Sequence, residues 1–161
     1  MQGSSHPRAV GKVSVKLSRH FALAEMIVSQ DAARHAINNT PPPAIIDTLR
    51  TTCEMMESVR ALLGDKPIIV SSGYRCRALN DIVGGSVNSA HMRGHAVDFI
   101  CPGFGTPLEI CRALESSGIT YDQLIHEFGA WAHISFAPTK RGIGFTYLAN
   151  GKGKVAGIVQ A

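Results

Sequence analysis

Residues 95–100, HAVDFI, set a carboxylate inside an apolar, β-branched run. An ionised carboxylate taken out of water is costly unless a positive group meets it. Any fold that uses this run as an interior strand must therefore bring a cation to Asp98. A histidine, His91, stands seven residues earlier in SAHMRGHAVDFI (89–100). The pair raises the question of whether that cation is a side chain or a metal.

The elements around this run follow from periodicity. HFALAEMI reads as a short amphipathic helix with Phe21, Leu23, Ala24 and Ile27 on one side. NNTPPP is a stop-and-start signal in which Asn39 or Thr40 is the expected cap of the next helix. From Pro43 to Leu63, Ile46, Leu49, Cys53, Met56, Val59 and Leu63 recur by threes and fours, the stripe of a core helix that Gly64 and Pro67 end. KPIIVSSGYR reads as a strand broken at Gly73, and 95–100 as a second strand. Pro107 to Ser116 reads as a helix. YDQLIHEF and AHISFA read as two strands joined tightly around Gly129, and Asn150-Gly151 as a turn. The expected fold is α+β: a small antiparallel sheet carrying the site, with helices packed on its other face. One domain is expected over 17–148, preceded by a basic, flexible segment (1–16) and followed by a C-terminal tail or hairpin (149–161).

Strand parity assembles the site. Alternate residues share a face, so Gln123, Ile125 and Glu127 project together, as do His133 and Ser135, and as do Ala96, Asp98 and Ile100. A hairpin centred near Ala130 sets Glu127 directly across from His133. If Asp98 lies on a neighbouring strand with its side chain on this face, His91, Asp98, His133 and Glu127 converge. A catalytic zinc commonly takes three protein ligands drawn from His and Asp/Glu and keeps one position for water. His91, Asp98 and His133 fit that pattern, and Glu127 is then placed to take a proton from the acidified water. Simpler readings stand beside this one. Asp98 is open to a salt bridge with Arg75 or Arg93, and Glu127 with His133 to an ordinary cross-strand pair. His91 and His95 suit a helical zinc pair by spacing, but Gly94 and the strand after it oppose a helix, so His95 is expected to face away.

The totals narrow the classes. Residues 1–20 and 139–161 each carry four Lys or Arg and no acid, so the basic ends flank an acidic middle. With 6% aromatic residues the chain lacks the aromatic interleaving of a single-strand nucleic-acid binder. No apolar run approaches the roughly 20 residues that span a bilayer. No secretory h-region is visible in the first twenty residues, and MQGSSHPRA is open to being in part an expression scar. Cys53, Cys76, Cys101 and Cys111 form no CxxC pair, which disfavours a zinc ribbon and suggests reduced, mostly buried thiols.

SSGYRCRALNDIVGGSVNSAHMRGHAVDFI, followed by YDQLIHEFGAWAHISF, resembles the zinc D-Ala-D-Ala metallopeptidases, a group of D,D-carboxypeptidases and phage endolysins that shares its zinc core with lysostaphin-type enzymes and the hedgehog domain. The resemblance runs from about Leu17 to Phe136 and rests on SxHxxGxAxD combined with the later WxH. It implies one Zn2+ per chain on His91, Asp98 and His133. It implies that Arg75 holds a substrate carboxylate, that Ser89 lies near the substrate, and that Tyr74 and Gln123 line the cleft. Two departures stand out. The catalytic acid of much of the family lies three residues before the last histidine, where this chain has Ala130, so Glu127, as in the EFGxWxH phage group, is the expected base. Cys76 also stands where serine is common after GYR.

The expected function is zinc-dependent hydrolysis of peptidoglycan stem-peptide or cross-link bonds, in the manner of a phage or prophage endolysin-type endopeptidase. A D,D-carboxypeptidase removing terminal D-Ala and a non-catalytic zinc-stabilised binding module are the alternatives. The expected partner is the stem peptide, with no nucleic acid, no membrane and a monomeric chain. The expected location is the cytoplasm until release onto the cell wall.

Overall fold

The alternating runs pair into one sheet in a computed structural model that describes residues 14–161. Its strands are β1 (Ile69–Ser72), β2 (Ala96–Ile100), β3 (Gln123–Glu127), β4 (Trp131–Ser135), β5 (Ile143–Tyr147) and β6 (Lys154–Ala156), in the order β1-β2-β4-β3-β5-β6. The helices are α1 (Leu23–Ile27), α2 (Gln30–Arg34), α3 (Pro43–Leu62), α4 (Arg77–Ile82) and α5 (Pro107–Glu115). This is the expected α+β class. Of the basic N-terminal segment, residues 1–13 lie outside the described residues. Lys16 already forms a β-bridge with Ala22. No helix among the described residues is long and apolar enough to cross a membrane.

The helical face of the sheet is apolar because the inward positions of three strands agree. Val97 and Phe99 on β2, Leu124 on β3, and Ala132 and Ile134 on β4 are fully buried. The α3 stripe of Leu49, Cys53, Met56 and Val59, continued by Leu63, and the α5 residues Ile110, Cys111 and Leu114 join them in one core. Pro43 opens α3 and Pro107 opens α5, where a missing N–H costs nothing. Thr106 and Glu109 close a reciprocal capping box on α5. The four thiols are free, and burial pushes those of Cys53 and Cys111 up to about 12, so they stay protonated.

Three local expectations are corrected. Met26, not Ala24, is the buried residue of α1, and Ala24 is exposed. Asn39 and Thr40 do not cap α3, whose cap is Pro42. The Asn39 amide instead donates to the carbonyls of Ile27 and Tyr74, and its oxygen accepts from Cys76 N at 2.8 Å. It thus ties the end of α1 to the segment carrying Arg75. Third, the hairpin pairs Glu127 with Trp131 and Ile125 with His133, so Glu127 does not oppose His133. The cause is the turn. Phe128 and Gly129 both have positive φ (56° and 69°), and Ala130 N donates to Glu127 O at 2.9 Å. The loop has three residues, 128–130, and the turn at its head, with positive φ at both central residues, is of the type that matches strand twist and favours Asn-Gly. A phenylalanine held left-handed costs about 1–2 kcal/mol.

The sheet is not wholly antiparallel. The chain leaves β4, passes through 136–142 and re-enters beyond β3, so β5 runs parallel to β3. One buried carboxylate pins this crossing. Asp122 Oδ1 accepts from Thr139 Oγ1 (2.6 Å), Arg141 N (3.1 Å) and Arg141 Nε (2.9 Å), and Oδ2 accepts from Arg141 Nη2 (2.6 Å). The Arg141 hydrogen bonds, with that from Thr139, hold the Asp122 carboxyl well below the usual range against the opposing effect of burial. The stabilisation is therefore complete above about pH 4 and fades as the pH falls further and the carboxylate is neutralised. Asp122→Asn is expected to lose about 2 kcal/mol at pH 7, with the gap between variant and parent narrowing below pH 4. Urea unfolding at the two pH values measures both.

Candidate metal centre

The face of the sheet turned away from α3 and α5 carries the chemistry, laid out by register. One row crosses the sheet as Ser72, Asp98, His133, Ile125 and Phe145, each paired with the next. The residue directly across from His133 on the β2 side is thus Asp98. A second row runs Trp131, Glu127, Tyr147, Lys154. Both rows line one cleft of about 890 Å3.

His91 enters from a 3-10 turn, Ala90–Arg93, and not from an extended loop. Gly94 closes the turn at φ 74°, and Thr52 Oγ1 holds the Gly94 carbonyl at 2.7 Å. His91 Nδ1 lies 2.6 Å from Gly73 O. A carbonyl only accepts, so Nδ1 carries the proton and the bare Nε2 faces the cleft. From there it is 3.2 Å to Asp98 Oδ1 and 3.2 Å to His133 Nδ1, while His133 Nδ1 and Asp98 Oδ1 are 2.7 Å apart. All three residues are buried. Their donor atoms lie within 4.8 Å of one another, the signature of a group able to hold one ion.

The donor set fits zinc. Tetrahedral bonds of about 2.0–2.1 Å place donor atoms about 3.3–3.4 Å apart, close to two of the three separations. Binding needs neutral imidazoles and an ionised carboxylate. Burial drives the His91 pKa down despite the adjacent Asp98. Burial would raise Asp98, but its polar contacts with His91 and His133 hold its carboxyl far below the usual range.

Glu127 approaches from one side, with Oε1 3.8 Å from His133 Nδ1. Burial, with the nearby Asp98 charge, pushes its pKa up. Its side chain remains partly open to the cleft. A carboxyl raised toward neutrality beside an ion-binding group is suited to proton transfer. Arg75 approaches from the other side. Its Nε donates to Ser72 Oγ at 2.9 Å and its Nη2 to Asp98 Oδ2 at 2.5 Å. The salt bridge weighed as an alternative for Asp98 and the histidine cluster therefore coexist: one carboxylate oxygen faces the histidines and the other faces the arginine.

Ser89, Tyr74 and Gln123 all line the cleft. Tyr74 is held by its N–H to Met26 O at 2.7 Å. His95 faces a separate groove with Asp47 and Phe136. Ala130 sits exposed in the turn, and Cys76 stands half-buried outside the donor group. Sequence reasoning gave no role to Ser72, Phe128, Tyr147 or Lys154, which also line the cleft. Phe128-Gly129 was the readable signal for the turn, but Tyr147 and Lys154 belong to strands whose pairing no local motif announces.

Comparison with known proteins agrees with this geometry. A family model described as Peptidase M15 matches residues 19–135. A zinc D-Ala-D-Ala carboxypeptidase of Streptomyces albus G is 49% identical over 43 residues. That stretch covers 27% of this chain and 17% of the relative.

The glycine that fixes His91 provides a sharp test. A Cβ on Gly73 would stand 2.5 Å from Met26 O, a backbone atom that cannot swing aside. Gly73→Ala is therefore expected to displace the carbonyl that orients His91 and to weaken zinc binding about 10–100-fold. Competition with a chromophoric chelator measures it. Elemental analysis of the parent chain is expected to find about one zinc per chain, lost in His133→Ala.

Proposed function

The chain belongs to the peptidase M15 family, and we propose from this premise that it is a zinc-dependent hydrolase of peptidoglycan stem peptides, cutting bonds that involve D-amino acids. The observation carrying this reading is the buried His91–Asp98–His133 group with Glu127 beside it in an open cleft. A zinc ion held by the three residues supplies a Lewis acid for the scissile carbonyl and an acidified water. Glu127 accepts the proton of the attacking water and returns it to the leaving nitrogen. One water is consumed, the C–N bond breaks, and a carboxylate and an amine result. Asp98 keeps its charge throughout because Arg75 and both histidines surround it.

The finer reading is an endopeptidase of the lytic, phage or prophage type, with the cell wall as its place of action. Two things support it. EFGAWAH resembles the phage group, and the cleft lining extends to both edges of the sheet. It reaches α4 and Ser72 on one side of the metal group and Tyr147 and Lys154 on the other. A substrate running past the scissile bond in both directions has room. The carboxypeptidase reading is favoured by the name of the Streptomyces relative, and product analysis separates the two.

Purified sacculi incubated with the zinc-loaded chain are expected to release peptides identifiable by mass spectrometry, with internal cross-link fragments from an endopeptidase and free D-Ala from a carboxypeptidase. Glu127→Gln is expected to keep its zinc and lose about 100-fold or more in rate. Full activity in that variant removes Glu127 as the base. An inert parent chain that binds zinc points to a binding module.

A further inference from the structure

The family resemblance assigns substrate carboxylate recognition to Arg75, and the structure already engages two of the five N–H donors of that guanidinium. Nε is spent on Ser72 and Nη2 on Asp98, the side chain being largely buried. Arg75 thereby fixes the orientation of Asp98. Apart from the histidines, the other cation lining the cleft is Lys154. It stands on β6 in the row Trp131, Glu127, Tyr147, Lys154. Strands lie about 4.8 Å apart, so its backbone is on the order of 10 Å from that of Glu127, two strands away. Lys154 Nζ lies 5.1 Å from the centre of the Phe145 ring and meets no carboxylate among the described residues.

The surface between Lys154 and Glu127 is aromatic. Phe128 stacks on Tyr147 with centroids 5.6 Å apart and planes at 17°, and Phe145 meets Tyr147 edge-on at 5.4 Å. Phe128 is 43% exposed although it occupies a left-handed position that disfavours it. A strained, exposed aromatic beside a reactive carboxylate marks a binding surface more than a packing one.

We propose that the β5–β6 hairpin is a substrate-reading wing that takes an acidic peptide arm, with Lys154 pairing a carboxylate of the arm and the Phe128, Tyr147 and Phe145 rings covering its aliphatic portion. Arg75 is in this account a positioning residue for Asp98. The assignment rests on reading the cleft as a peptidase site, and it names which end of the cleft selects the substrate's charge. The Lys154 ammonium is exposed, so its pairing with an anion is open to screening by salt.

The test reads binding and not turnover. Trp131 is the single tryptophan of the chain and lines the cleft, so its fluorescence reports occupancy. The probes are the stem tripeptide L-alanyl-γ-D-glutamyl-diaminopimelate and the same peptide with its carboxylates amidated. The parent chain is expected to bind the acidic peptide about tenfold more tightly than the amidated one, a preference that salt weakens. Lys154→Glu and Lys154→Met are expected to abolish the preference and Lys154→Arg to keep it. Equal preference in parent and Lys154→Met overturns the proposal, as does equal binding of the two peptides by the parent. Binding of a peptide-free disaccharide in place of either peptide also overturns it and makes the aromatic wing a glycan platform. A charge preference that depends on Lys154 supports the wing even where the sacculus assay finds no hydrolysis, so the two readings fail separately.

Discussion

The buried carboxylate of Asp98 is the constraint around which the chain is arranged. It sits mid-strand, flanked by the fully buried Val97 and Phe99, and its charge is tolerable only because three cationic or metal-ligating side chains meet it. Each arrives from a different part of the sequence: Arg75 after β1, His91 from the 3-10 turn, His133 from β4. Removing one partner of such a buried group leaves uncompensated charge and costs several kcal/mol, on the order of 3–5. The same feature that makes the strand expensive to fold makes the group able to hold an ion. Burial lowers the His91 pKa and the surrounding groups keep Asp98 ionised, which is the protonation a metal requires of those two residues.

The supports of this group are backbone atoms more than side chains. His91 is aimed by the Gly73 carbonyl, and Gly73 packs against the backbone of Met26 in α1. Tyr74 and Cys76 are tied to Asn39, which also holds the end of α1 through Ile27. The small N-terminal helices therefore set the edge of the cleft, and α1 also gives Met26 to the main core. Their short length is consistent with that role, since a single turn or two gains stability from docking and not from helix propensity.

The sequence was legible where chemistry and periodicity coincide. The stripe from Ile46 to Leu63 can only be a helix, and the pleat keeps Asp98, His133 and Glu127 on one face in every register of the same parity. The pairing of Asp98 with His133 was accessible for that reason. Register itself was not. A turn centred on Ala130 is the natural choice if phenylalanine is denied a left-handed conformation, and the true turn grants it one at Phe128. The face assignment survives that slip because the shift moves Glu127 from opposite His133 to the diagonal, and a diagonal neighbour on the same face is still within reach at 3.8 Å. The role of Asn39 was hidden for a related reason. NNTPPP carries a generic capping signal, and only tertiary contact with Ile27, Tyr74 and Cys76 explains why the amide is used otherwise.

The C-terminal third was the least readable part, and physically it had to be. β5 joins the sheet in parallel beside β3, through a crossing that no local alternation announces and that a single carboxylate, Asp122, secures from the far side of the loop. β6 is short and fully exposed, with no apolar periodicity to reveal it. Such a strand contributes little to the core, so its placement answers to something other than burial. Its register delivers Lys154 into the same row as Glu127. Extending a sheet by two strands on the side away from α4 lengthens the cleft floor beyond the reacting atoms, and floor beyond the reacting atoms can act only on parts of a substrate that do not themselves react. In the proposed peptidase, binding energy gathered there would lower the barrier by positioning the scissile bond against Glu127. The least predictable segment of the chain is thus the one with most freedom to vary the far end of the cleft, while the strands that carry Asp98 and His133 are fixed by what it costs to bury charge.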